Sequence, residues 1–347
     1  MKLPRVTPAV GVRAEARAPR RRAAFLIVAG LALTVSTPAY AAAQVAEAPR
    51  YITSREAVAW EGRPFDALVP YGPDSLQFAE LRLPAGPGPF PVAVVVHGGC
   101  WLSIADNDYM DPVAEALTAA GWATWNLEFR KLDELGGAWP GIFRDVAAGT
   151  DHLRQAAGTC PLDLEHVVTV GHSSGGHLAL WLAARHRIPA GSELHDDDPL
   201  PIHGVVSLAG IADLVHYHEM SVEACGDTPS QLLGVTPPPE SPRTAQASPA
   251  ALLPTGVPQL LVTGADDYAV PPAHGEAYAA LAAMKGQEAV HHVIPRSSHF
   301  EIVAPWTEPW KEAWGLILPF LEQVRRTFRA SERILRARPS PGVPSSR

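Results

Sequence analysis

The sequence predicts an α/β fold: a mostly parallel central sheet with helices on both faces and a small cap insertion in its second half. Two observations carry this. From about residue 90, short apolar runs rich in β-branched residues alternate with amphipathic stretches at helical spacing, as in a sheet buried on both sides. The stretch from Ile211 to about Pro258 then breaks the rhythm with Pro237-Pro238-Pro239, Ser241-Pro242 and Ser248-Pro249 and no long periodic run. In an α/β fold such an insertion falls outside the carboxyl ends of the strands, where ligands bind, so residues 211–257 are read as a cap over the site.

Each element follows in chain order. The continuous β-branched run 92–96 is the first buried strand, and 112–120 is a helix closed near Gly121. Strand 122–127, helix 142–157, strand 167–170 and helix 175–185 come next. Strands 205–208, 259–262 and 290–294 complete the sheet, and helices 273–284 and 306–328 complete the cover.

At both ends the pattern changes. Arg20, Arg21 and Arg22 precede an apolar run over 23–35, and Ala39-Tyr40-Ala41 supplies small residues for cleavage, the order of a secretory signal over residues 1–41. A run of 13 residues is short of the roughly 20 that span a bilayer, so export to the periplasm or medium is expected, with no stable membrane anchor. Residues 42–330 form the expected catalytic domain. The basic, Pro- and Ser-containing stretch 331–347 is expected to be disordered.

Composition narrows the function. The 347 residues are 47% hydrophobic and 18% charged with a net charge of −8, which argues against a nucleic-acid partner. Neither GxxxxGK[ST] nor GxGxxG occurs, and neither an organic cofactor nor a metal is expected. His216-Tyr217-His218-Glu219 has poor ligand spacing for a metal on a loop, and His195-Asp196-Asp197-Asp198 reads as a polar surface loop. Cys100, Cys160 and Cys225 allow one disulfide in an oxidising compartment, or three buried thiols; the sequence does not choose.

The chemistry lies in four stretches. Gly171-His172-Ser173-Ser174-Gly175 sits between strand and helix and fits G-x-S-x-G, which holds Ser173 on a tight turn with its hydroxyl clear of the sheet at the positive end of a helix. His97-Gly98-Gly99-Cys100-Trp101 follows strand 92–96. Glycines there let main-chain N–H groups approach an oxyanion, with Gly99, Cys100 and Ser174 as the expected donors and Trp101 as a possible pocket residue. Asp266 and Asp267 follow strand 259–262, and His299 follows strand 290–294, in the order nucleophile, acid, base. Asp267 is the preferred acid. Asp266 is then a turn or capping residue, and Asp213 a competing acid that more naturally starts the cap. His172 and His177 flank the nucleophile and are read as packing around it.

The segments HGGCW, GHSSGGHLALW, GADDYAVP and SSHFEIVAPW resemble the α/β-hydrolase superfamily in its esterase/lipase branch, over roughly residues 71–321. Within that branch the chain is similar to kynurenine formamidases and to bacterial feruloyl-esterase-like enzymes. The resemblance implies a triad of Ser173, Asp267 and His299, the acid falling on Asp267 in a G-x-x-D-x-x-V-P pattern. The expected activity is carboxylesterase-like cleavage of a small ester through an acyl-enzyme. Formamide hydrolysis, a prolyl-oligopeptidase-like peptidase and a non-catalytic binding protein are the alternatives. Export argues for an ester over the formamide, because the formamidases are usually cytoplasmic. Acyl and alcohol preference are not legible.

Overall fold

Residues 51–57, 59, 62–235 and 241–336 are described by the computed structural model. Their strands are β1 (Ala67–Pro70), β2 (Phe78–Arg82), β3 (Phe90–Val96), β4 (Ala123–Leu127), β5 (Leu162–His172), β6 (Gly204–Leu208), β7 (Gln259–Gly264) and β8 (Ala289–Ile294). They form one sheet in the order β1-β2-β4-β3-β5-β6-β7-β8. The β1–β2 and β2–β4 pairs are antiparallel; every pair from β4–β3 to β7–β8 is parallel.

The helices are α1 (Ser54–Ala57), α2 (Asp111–Ala119), α3 (Gly141–Asp151), α4 (Leu153–Ala156), α5 (Ser174–Ala184), α6 (Leu214–Glu219), α7 (Thr228–Leu233), α8 (Pro242–Ala247), α9 (Pro272–Met284) and α10 (Glu308–Arg336). The core is centred on β3 and β5. Val92 to Val96 are fully buried, as a β-branched run between two helical layers should be. Against them lies α5, buried on every side from Ser174 to Ala184, which explains why its sequence is apolar without a polar face. No described helix is long and apolar enough to cross a membrane.

Every strand expected from the sequence is present. Two were not anticipated. β1 is only four residues long and alternates half-buried with exposed; β2 carries Glu80 and Arg82. Charge hides that strand from a pattern search, yet Arg82 is buried, its guanidinium 2.8 Å from Asp111 and 3.3 Å from Glu80. Helix 142–157 divides into α3 and α4 at His152. α10 runs to Arg336, past the expected end at 328 and into the stretch read as a tail from 331. Residues 1–41, read from the sequence as a secretory signal, and residues 337–347 lie outside the described residues.

The insertion between β6 and β7 folds as three short helices, α6 to α8, and a 3₁₀ turn at Pro249–Leu252. Asp213 caps α6, accepting from Val215 N and His216 N, so the competing acid is engaged in starting a helix. Tyr217 on α6 donates to the Ala269 carbonyl at 2.8 Å, tying the insertion to the loop after β7. The 216–219 stretch, expected as a loop, lies on this helix, and no metal-holding group of His, Cys, Asp or Glu occurs among the described residues.

Candidate active site

Ser173 stands between the end of β5 and the start of α5 at φ +57° and ψ −125°. A non-glycine residue held there costs on the order of 1–3 kcal/mol, so its surroundings must impose it. They do so through the main chain. Ser173 N donates to Leu208 O at 2.9 Å, and Ser173 O accepts from His177 N at 3.2 Å and Ile211 N at 3.3 Å. A Cβ on Gly175 would stand 2.2 Å from Val96 O and 2.3 Å from His97 O. Glycine at that place lets α5 begin directly against the end of β3.

The turn after β3 is pressed onto this elbow. A Cβ on Gly98 would fall 2.7 Å from His172 O and 2.9 Å from the Ser173 Cβ. Gly99, Cys100 and Trp101 follow with φ of +105°, +55° and +61°. Trp101 N donates to Ser174 Oγ at 3.2 Å. The N–H groups of Gly99, Cys100 and Ser174, by contrast, have no acceptor among the described residues. Beneath the turn, Glu128 accepts from Asn107 N, Phe129 N and the Lys131 ammonium, with His97 Nε2 3.3 Å away. Burial alone would raise the Glu128 carboxyl, but the hydrogen bonds and positive charge of His97 and Lys131 outweigh it and hold it at about 2.

Trp101 is the one expected site residue that the structure places elsewhere. It is 1% exposed and does not line the cavity; its indole N–H donates to His177 Nδ1 at 3.2 Å. The run of positive φ values leaves Cys100 on the cavity wall and turns Trp101 into the core. His177 in turn donates through Nε2 to Ala247 O at 2.9 Å. Burial lowers it to about 4, so it is a neutral strut between the turn and the end of α8.

His299 lies after β8, with Nδ1 2.8 Å from Asp267 Oδ2 and 3.0 Å from Oδ1. Asp267 is buried, and its Oδ1 also accepts from Ala269 N and Val270 N, each at 2.8 Å. Those bonds fix the carboxylate, and the carboxylate fixes Nδ1–H on the imidazole, which leaves Nε2 for chemistry. Asp266 points away and accepts from the Tyr51 hydroxyl at 2.6 Å. Ser173 and His299 line one cavity of about 470 Å³ with Gly99 and Cys100. No hydrogen bond joins Ser173 Oγ to His299 Nε2, a bond that commonly tightens only with substrate.

Three features were not read from the sequence. His172 is a buried bridge: Gly98 N donates to the Tyr109 oxygen, Tyr109 O–H to His172 Nδ1 at 3.1 Å, and His172 Nε2–H to His299 O at 2.9 Å. Burial first, then the unfavourable proximity of a second imidazole, that of His299, holds it well below the usual imidazole range. The second feature is the disulfide Cys100–Cys225, which bonds the turn after β3 to the insertion, while Ala224 lines the cavity and Cys160 is a free thiol. The third is residues 51–57, which pack over the loops after β7 and β8 and contribute Ser54 and Arg55 to the cavity. No periodicity or motif marks them.

A family model described as BD-FAE matches residues 80–281. Esterase LipQ of Mycobacterium tuberculosis is 24% identical over 156 residues, 44% of this chain and 37% of LipQ. A non-reducing polyketide synthase, ausA of Aspergillus calidoustus, is 32% identical over 107 residues, 28% of this chain and 4% of that protein. The chain thus spans well under half the length of these curated relatives. Among solved structures, esterase B of Lactobacillus rhamnosis aligns with a TM-score of 0.67 at 19% identity, over 80% of this chain and 93% of that one. A carbohydrate esterase from gut microbiota aligns with a TM-score of 0.63 at 19% identity, over 74% and 94%. At such identities these structures establish the α/β-hydrolase fold.

Proposed function

The chain belongs to the BD-FAE family, a carboxylesterase-like branch of the α/β-hydrolases, and from that premise we propose that it cleaves a small carboxylic ester through Ser173, His299 and Asp267. The carrying observation is the cavity: the Ser173 hydroxyl, an imidazole already bonded to a buried carboxylate, and the Gly99 and Cys100 N–H groups, without acceptors among the described residues, border one space. Ser173 Oγ attacks the ester carbonyl and passes its proton to His299 Nε2. The oxyanion accepts from the N–H groups of Cys100 and Ser174, with Gly99 alongside. Collapse expels the alcohol, which takes the proton from His299. Water then attacks the acyl-enzyme by the same route and restores Ser173. Esterase activity in LipQ and in the L. rhamnosis enzyme, one form of which carries a tributyrin phosphonate inhibitor, supports this reading. Export fits it too, since the Cys100–Cys225 bridge is suited to an oxidising compartment such as the periplasm or medium.

The test is a panel of p-nitrophenyl esters of rising chain length, beside a feruloyl ester and N-formylkynurenine. Ester turnover is expected to exceed formamide turnover. Ser173→Ala is expected to lower kcat/KM at least about 10³-fold and to abolish labelling by a fluorophosphonate. Preference for N-formylkynurenine overturns the ester assignment, and activity surviving in Ser173→Ala overturns the nucleophile.

A further inference from the structure

The cavity over Ser173 is walled on one side by chain that precedes the sheet. Residues 51–57 are anchored there at two points. The Tyr51 hydroxyl donates to Asp266 Oδ2 at 2.6 Å, and Ile52 N donates to Glu301 Oε1 at 2.5 Å. Glu301 is buried and its second oxygen accepts from Ser298 N at 2.8 Å, so the anchor leans on the residue before His299. Thr53 and Glu56 exchange hydrogen bonds at the start of α1, a capping box that closes this short turn upon itself. Ser54 and Arg55, just after these anchors, reach the cavity.

The charge balance of that cavity is uneven. Among the described residues that line it, Arg55 alone carries a permanent charge. Tyr109, Tyr268, Phe300 and Ile104 make the rest of the wall largely apolar or aromatic. The nearby carboxylates are committed: Asp267 to His299, Asp266 to Tyr51, and Glu301 to two main-chain amides. Arg55 has no ion-pair partner among the described residues. The exposed Arg55 guanidinium beside this largely apolar cavity, in a chain of net charge −8, offers a forked donor to a carboxylate.

We infer that Arg55 is a specificity-determining residue and that the preferred substrates are esters bearing a carboxylate. This rests on the esterase reading of the same cavity. The anionic group sits at the mouth, against Arg55, while the ester carbonyl lies over Ser173.

Two substrate pairs test it with the full chain. Mono-p-nitrophenyl glutarate against p-nitrophenyl butyrate places the carboxylate on the acyl side. 4-Acetoxybenzoate against phenyl acetate places it on the alcohol side. In at least one pair the anionic-to-neutral ratio of kcat/KM is expected to fall about 5- to 20-fold in Arg55→Gln, the range for losing one charge-assisted bond at a partly open site. It falls further in Arg55→Glu, and 0.5 M salt erodes the wild-type ratio but not that of Arg55→Gln. Ratios in both pairs that do not respond to Arg55→Glu overturn the role of Arg55, with the esterase reading intact. Absence of turnover on all four esters overturns both.

Discussion

At the scale of single residues, the two adjacent aspartates separate cleanly. Asp267 is buried, receives two main-chain N–H groups and holds His299; Asp266 takes an exposed tyrosine hydroxyl. Asp267→Asn is expected to lower kcat about 10⁴-fold, because an amide in that place favours the wrong imidazole tautomer. Asp266→Asn keeps an acceptor for Tyr51 and is expected to stay within about threefold; parallel kinetics of the two variants decide the assignment. The preference for Asp267 was legible through the family resemblance, whose G-x-x-D-x-x-V-P pattern puts the acid there. Trp101 was not. Sequence places an indole beside the expected oxyanion donors, but its direction depends on three successive left-handed residues, and an HGG turn does not declare the φ of the two residues after it. The bridging role of His172 was hidden likewise, since Gly98 and Tyr109 follow β3 and His299 follows β8, all far from it in sequence.

Among the elements, the link that matters most is covalent. The Cys100–Cys225 bridge joins the turn after β3 to the loop between α6 and α7 across a sequence separation of 125. Losing a bridge of that span costs about 2–5 kcal/mol, and 1 kcal/mol moves Tm by about 2–4 °C in a domain of this size. Cys225→Ser is therefore expected to melt roughly 5–15 °C lower, with kcat falling more than KM rises, because Cys100 carries a proposed oxyanion donor. Melting and kinetics with and without a thiol reductant check this: the reductant should lower the wild type toward the variant and leave the variant unmoved. The pairing was beyond the sequence because it depends on how the insertion folds back, and the Pro-rich stretch carries no periodic signal for that. The inner parallel strands were readable because burial on both faces forces continuous apolar runs, whereas β8 lies at the sheet edge with Val290 and Val293 exposed. β1 and β2, at the antiparallel edge, escaped because one is short and half exposed and the other buries paired charges.

On the scale of the whole molecule, acid should unfold this protein early, and the cause is distributed. Burial keeps His172, His177 and His274 neutral: His172 lies well below its usual range, His177 is lowered to about 4 and His274 to about 3. Each acts as a strut through an acceptor nitrogen. His177 Nδ1 receives the Trp101 indole, His172 Nδ1 the Tyr109 hydroxyl, and His274 Nε2 the amides of Ala212 and Asp213 at the start of the insertion. Protonation removes those acceptors. Unfolded, the same imidazoles titrate near 6.5. The unfolded chain therefore binds more protons than the native one below that pH, and stability falls as pH falls. The effect is absent above about 6.5 and grows as pH drops toward the lowered native values, on the order of 2 kcal/mol each for His177 and His274 by pH 5. Glu128, depressed to about 2, adds its own loss only between about 4.5 and 2, so the first stage belongs to the histidines. Urea unfolding at pH 7.5 and 5.0 is expected to show a midpoint lower at pH 5.0 by a third or more, with an unchanged slope. His177→Gln, which cannot titrate, should lose less between the two pH values than the wild type whatever its stability at pH 7.5. Equal midpoints at the two pH values would mean that these imidazoles take up protons without opening the fold.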